Sequence, residues 1–309
     1  MELANGQKRM KRIFLLFIIL FMEARSQDTT PIATYPFKTD MAYQTKLKEF
    51  INTYEAQPDL SLLDTLAQFS FRYKDWETSI SFAQKAIAQK PTAQRYFLLG
   101  GAAGFRALEV SIFSSMKYIN IMKPAFEESI RLEPENILYL RAQVDVLVAL
   151  PSLLGGSIEN AQNIIDKMIK LDPLEGLLAQ GSLYENDKNL KRAKEVYQQV
   201  LNYLNQTLGS CNEDFIMYLQ KSRRDLAYDL GRITADFDLN ISWGNCCLSY
   251  FERTYGLSDT VPKAWVYYQW LRLAKKSKNK QQMKSLISKT IPLENKFPKL
   301  EALIEEINL

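Results

Sequence analysis

From about residue 41 onward, apolar residues in this chain recur at intervals of three and four, which is the period of an α-helix. No run of alternating β-branched residues is long enough to predict a strand. Three prolines, Pro91, Pro134 and Pro173, each follow an amphipathic segment. Because proline cannot continue a helix, each of them ends a unit and redirects the chain. The sequence therefore predicts an all-α fold of about 12 helices arranged in consecutive pairs.

The clearest pair runs from Leu60 to Pro91. Its first helix carries Leu63 and Ala67 on one face, and a turn at Lys74 and Asp75 leads into the second helix. Small residues on the facing sides allow two antiparallel helices to approach closely. A second pair with the same pattern occupies residues 173–201, whereas residues 213–257 look helical but match no repeat. The small, aromatic and proline positions resemble the tetratricopeptide repeat, and the resemblance implies a right-handed α-α solenoid.

A break in the helical pattern contains Pro151 and the pair Gly155 and Gly156. A phosphate-binding loop would require a lysine after the glycines and a strand before them, and the sequence has neither. Pro151 is expected to end one helix, and Gly155 or Gly156 to adopt a positive φ. Ser157 then caps the next helix. The break is predicted to be a structural corner between two helices.

This corner, together with the "LDP" that ends the following helix, resembles the T-component of TRAP-type transporter systems over about residues 92–201. The resemblance implies an exported helical protein that docks a periplasmic solute-binding protein. It also implies a homotrimer and a small solute held in a helical pore. Many members carry a lipid-attached cysteine near the start of the chain, and this sequence has no cysteine there.

The N-terminus has the organisation of a secretory signal peptide, with basic residues before the ten apolar residues Ile13 to Met22. We expect residues 1–26 to be removed by cleavage before Gln27, and a retained signal anchor is the alternative. Residues 27–40 are predicted to form an exposed leader, and residues 41–309 the helical-repeat domain. The mature protein is therefore expected in the periplasm or outside the cell.

The chain contains no histidine, which excludes serine and cysteine hydrolase triads and the common histidine-ligated metal sites. The acidic pairs Glu127–Glu128 and Glu305–Glu306 consist of adjacent helical residues that point in different directions, so they are interpreted as solvated faces. The net charge of +4 is too weak to predict nucleic-acid binding. We expect no enzymatic activity, no metal and no cofactor.

Three cysteines are present, Cys211, Cys246 and Cys247. In an exported protein Cys211 could form a disulfide with Cys246 or with Cys247, and the odd count leaves one thiol over. The alternative is that all three are small buried apolar residues.

The predicted function is binding on one face of the solenoid, with Tyr96, Arg141 and Tyr268 as candidate contact residues. The alternative is that these residues are ordinary core tyrosines and an arginine that extends its head group to solvent. A TRAP-type accessory role predicts an apolar cavity and self-association, while a generic envelope scaffold for other proteins predicts an open groove. An enzyme would instead need a cleft with acidic residues from separate helices.

Overall fold

A computed structural model of the chain describes residues 32–221, 223–293 and 297–307. These residues form 15 α-helices and one short 3₁₀ turn, and no strand occurs among them. The predicted all-α class is confirmed, but the helix count exceeds the predicted 12 because the segment after residue 201 is divided more finely than its pattern indicates. The predicted signal peptide and its cleavage site lie outside the described residues.

The helices are numbered in chain order and connected mostly by short turns. They are α1 Met41–Ala56, α2 Leu60–Arg72, α3 Trp76–Gln89, α4 Ala93–Glu109, α5 Ile112–Leu132, α6 Ile137–Ala149, α7 Ile158–Leu171, α8 Pro173–Asn186, α9 Leu190–Leu208, α10 Glu213–Lys221, α11 Leu226–Asp236, α12 Ile241–Arg253, α13 Lys263–Lys276, α14 Lys280–Thr290 and α15 Pro298–Ile307.

Helices pack chiefly on their neighbours in sequence, as expected for a helical-repeat solenoid. The pairs are α2/α3, α4/α5, α6/α7, α8/α9, α11/α12 and α13/α14. Their first members, which we call the first helices, also contact one another, as α2 does with α4, α6 with α8, and α11 with α13. Helix α1 packs on α2 at the N-terminal end, and α15 packs on α13 at the C-terminal end.

Four of these pairs share one turn geometry. The turns place Lys74, Lys188, Asp238 and Lys278 in the left-handed region, with φ between 55° and 61°. In each turn the following backbone N–H reaches a carbonyl five residues back, as Asp75 does to the carbonyl of residue 70 at 3.0 Å. This bond closes the helix end, as in a Schellman motif. The α11/α12 pair, which the sequence pattern left unassigned, has this turn, and α11 contacts the next first helix, α13, as other repeats do.

The corner between α6 and α7 contains the 3₁₀ turn, which begins directly after Pro151. Gly155 adopts a φ of 91°, where a side chain would be strained. A Cβ atom on Gly156 would lie 1.7 Å from the carbonyl oxygen of Leu150, so only glycine fits there. The hydroxyl of Ser157 accepts the backbone N–H of residue 160 at 3.1 Å and caps α7. The segment connects two helices.

Separate apolar clusters fill the two ends of the array. The N-terminal block, residues 33–132, contains most of a cluster that also includes Val146 on α6. In this cluster the ring of Tyr43 lies 4.6 Å from that of Tyr73 and 5.3 Å from that of Phe69. The C-terminal block, residues 173–307, contains a second cluster in which Phe215 packs edge-on against Trp243 at 4.8 Å. A smaller cluster from α6, α7 and α8 lies between them.

The three cysteines lie in the C-terminal block. The sulfur atoms of Cys211 and Cys246 are bonded to each other, with Cα atoms 6.2 Å apart. Cys247 is a free thiol, fully buried in the apolar cluster, and burial raises its pKa. The disulfide therefore ties the segment before α10 to α12, while Cys247 fills space as a small apolar residue.

Candidate functional site

Ion pairs between successive first helices begin in the N-terminal block. Arg95 on α4 donates two parallel hydrogen bonds to the carboxylate of Asp64 on α2, both at 2.7 Å. A bidentate pair of this kind fixes both side chains, so it holds the first helices in register.

A larger group of charges joins α6, α8 and α11. Glu175 on α8 accepts a hydrogen bond from Arg223 at 2.9 Å, and Arg223 also donates to Asp229 at 3.0 Å. A terminal nitrogen of Arg141 on α6 lies 3.9 Å from the other oxygen of Glu175. Glu175 is only 7% exposed, and this burial raises its pKa although two arginines oppose the shift. The group is internal and connects three repeats.

The same arrangement continues toward the C-terminus. Arg232 on α11 reaches both oxygens of Glu185 on α8, at 2.9 and 3.0 Å. Arg272 on α13 donates to Asp236 on α11. Charged residues on the first helices therefore pair mostly with one another, and they hold successive repeats together.

The structure places the three predicted contact residues on α4, α6 and α13 in different surroundings. Tyr96 is half-buried and packs against the N-terminal apolar cluster. The side chain of Arg141 is 17% exposed and engages Asp145 at 3.2 Å in addition to Glu175. Tyr268 is half-buried, and one side of it faces an open groove. Of the three, Tyr268 is the residue that lines this groove.

That groove lies between α13 and α15 beside the α11–α12 turn, and we call it the basic groove. Its volume is about 750 Å³. Four of its nine lining residues are cationic, and one tyrosine and two acids are also present. The lining residues are Asp238, Tyr268, Arg272, Lys275, Lys276, Lys299, Ala302, Leu303 and Glu306.

Two of the three lysines of the basic groove pair with exposed acids. Lys275 lies 2.5 Å from Glu306, with side-chain exposures of 39% and 66%. Lys276 pairs with Asp238, with exposures of 40% and 63%. Exposed pairs of this kind contribute at most about 1 kcal/mol to stability. An incoming carboxylate can therefore replace the chain's own acid at low cost.

Two cations of the basic groove also contact aromatic rings, one of which, that of Trp265, is buried beside the groove. The guanidinium of Arg272 lies 5.5 Å from the ring centre of Tyr268, and the amine of Lys299 lies 5.8 Å from that of Trp265. Such cation–π contacts hold the cations over aromatic faces. Charged side chains therefore line much of this groove, whereas a TRAP-type role predicts an apolar cavity.

Of the residues that line the basic groove, sequence reasoning named Tyr268 as a candidate contact residue, and it did not name Lys276 or Lys299. Lys299 belongs to α15, whose place beside α13 depends on packing that no local motif encodes. The signal that was available is the basic ending of α13, which places cations at the negative end of the helix dipole.

A second groove, of about 410 Å³, adjoins the α6–α7 corner and is lined in part by Lys123, Gln143 and Asn160. The amine of Lys123 donates to the carbonyl of Leu154 at 3.0 Å, so this cation already stabilises the corner. Within the described residues, no cluster of acidic and cysteine side chains is arranged to hold a metal ion. None of the described helices is long and apolar enough to span a membrane.

Comparison with known proteins found similar structures but no similar sequences. No protein-family model matches the chain, and no curated protein matches it. PilW, a type IV pilus biogenesis factor, is 12% identical, with 79% of this chain and 98% of PilW covered at a TM-score of 0.47. Pseudomonas aeruginosa pilF is 13% identical, with coverages of 80% and 97% and a TM-score of 0.46.

A tetratricopeptide repeat protein from Parabacteroides merdae is 12% identical, with 85% of this chain and 90% of that protein covered at a TM-score of 0.47. At such identities and scores, these likenesses carry no information about function.

Proposed function

We propose that this protein is a helical-repeat binding protein that holds an extended acidic segment of a partner protein in the basic groove. The observation that carries the proposal is the groove itself, with four cations around Tyr268 and α15 as its opposite wall. Lys275 and Lys276 pair there with acids that are 63% or more exposed, so both lysines can exchange partners. The function is binding, and no catalytic step is required of these residues.

The test is calorimetric titration of a synthetic ten-residue peptide of glutamate and glycine at low ionic strength, where screening is weak. The double variant K275E/K276E should weaken binding at least about tenfold, because two attractive charges become repulsive. The matched control is K188E/K191E, which makes the same change in charge on exposed lysines at the start of α9. Equal weakening by both variants, or no binding by the wild type, would contradict the proposal.

Export is part of the proposal. The Cys211–Cys246 disulfide supports it, because such bonds persist in oxidising compartments and are rare in cytosolic proteins. The mass of the protein purified from an envelope fraction tests it. Cleavage before Gln27 gives a chain that begins at that residue, whereas a retained anchor gives the full length.

A narrower hypothesis is that the partner is a periplasmic solute-binding protein of a TRAP-type uptake system, as the corner sequence implies. The alternative is an envelope scaffold unrelated to transport, and the charged lining of the groove favours it. Size-exclusion chromatography with light scattering, followed by native mass spectrometry, distinguishes the two. A trimer with a co-purified solute supports the transport role, and a ligand-free monomer contradicts it. The proposal for the basic groove requires no self-association.

A further inference from the structure

The α2–α3 turn contains a lysine whose burial is exceptional. Lys74 is 5% exposed, while Lys188 and Lys278 occupy the same left-handed position in two other turns and are exposed. Lysine is rarely buried unless its amine is paired, because removing an ammonium group from water is costly. The backbone geometry is the same in all three turns, so the burial of Lys74 requires a reason from outside its own turn.

The partner of Lys74 comes from the other end of the chain. Its amine donates to the carbonyl oxygen of Leu257 at 2.5 Å, across 183 residues of sequence. Leu257 lies in the loop between α12 and α13, residues 254–262. Asp259 in the same loop favours the charged amine, although burial lowers the pKa of Lys74 overall.

A second contact joins the same two regions without a side chain. The backbone N–H of Ala33, ahead of α1, donates to the carbonyl of Thr260 at 2.7 Å. The loop is itself held in place, because Asp259 accepts the backbone N–H of Gly256 at 2.7 Å and also pairs with Arg224. Both acceptor carbonyls are therefore presented by a loop with a fixed shape.

The two contacts cross between blocks whose apolar cores are separate. The buried apolar cluster of the N-terminal block shares no residue with that of the C-terminal block. We propose that the hydrogen bonds from Lys74 and Ala33 to the 254–262 loop form a latch that holds the N-terminal block against the C-terminal block. Release of the latch should therefore loosen the contact between the two blocks.

Hydrogen–deuterium exchange measured by mass spectrometry tests the latch. In the variant K74M, which keeps the length of the side chain and removes its amine, exchange should rise about tenfold in the loop 254–262 and at Ala33. The control is K188M, the same substitution at the equivalent exposed position of the α8–α9 turn. It should leave exchange in both latch segments unchanged.

A folded K74M variant with wild-type exchange in both segments would overturn the proposal. So would K188M with the same increase as K74M. If K74M fails to fold, the variant K74G replaces it, because glycine removes the amine and adopts the positive φ of this position without strain. For K74G the expected result and the contradicting result are the same as for K74M.

Discussion

Lys74 and Lys276 carry the same ammonium group at opposite ends of the repeat array, with different surroundings. Lys74 is 5% exposed and bound to a carbonyl of the chain itself, whereas the side chain of Lys276 is 40% exposed and paired with an exposed aspartate. Burial makes the first interaction costly to lose, and exposure makes the second easy to exchange. The comparison separates a lysine that maintains the fold from one that is available to a partner.

Replacing a lysine by glutamate should give the largest difference in the free energy of unfolding between a buried and an exposed position. In K74E a carboxylate would lie against the Leu257 carbonyl and near Asp259, without a donor. We expect a loss of about 3 kcal/mol or more in the free energy of unfolding. The control K188E should change it by less than about 0.5 kcal/mol. Urea denaturation followed by circular dichroism measures both, and equal losses would remove the distinction.

Lys74 and Lys188 are each followed by a residue that caps the next helix, and these caps should also differ in their contribution to stability. Asp75 caps α3 by accepting the N–H of residue 78, and it also accepts the buried hydroxyl of Tyr43 at 2.9 Å. Asn189 caps α9 by accepting the N–H of residue 192. We expect D75A to cost about 2 kcal/mol, since it also leaves a buried hydroxyl unpaired, and N189A about 1 kcal/mol. Thermal and urea unfolding measure which variant loses more stability, and a larger loss for N189A would contradict the expected order.

Substitution by glycine should stabilise one of two turns with the same backbone and not the other. A side chain at positive φ is strained by about 1–2 kcal/mol, and glycine removes this strain but loses more entropy on folding. K188G should therefore stabilise the chain by up to about 1 kcal/mol. K74G should show no gain, because the hydrogen bond to Leu257 is lost with the amine. Parallel melting curves decide this, and equal gains would mean that the buried amine contributes nothing.

The local parts of the fold could be predicted from the sequence. The α2–α3 turn at Lys74 and Asp75 followed from the spacing of the apolar residues on either side, and the all-α class followed from the period. The α11/α12 repeat was missed because the apolar residues on either side of its turn match no repeat pattern, and the positive φ of Asp238 has no mark in the sequence. A left-handed lysine or aspartate leaves no signal in a single sequence.

Interactions between distant residues could not be predicted. Arg141 was expected on a contact surface, yet it lies beside Glu175 and Arg223, which are far along the chain. Similarly, nothing next to Lys74 indicates that residue 257 will cover it. Among the three candidate contact residues, Tyr268 is the one that borders an open groove. Several basic residues of this groove lie on the same helix as Tyr268, so their proximity is local.

The proposed difference between Lys74, which maintains the fold, and Lys276, which binds a partner, has one most direct test. Hydrogen–deuterium exchange of the wild-type protein is measured with and without the acidic peptide. Protection should appear in residues 263–276 and 297–307, the two walls of the basic groove. Exchange at Ala33 and in the 254–262 loop should stay as it is in the free protein. Protection confined to the N-terminal block, or exchange unchanged along the whole chain at saturating peptide, would contradict the assignment of the groove as the binding site.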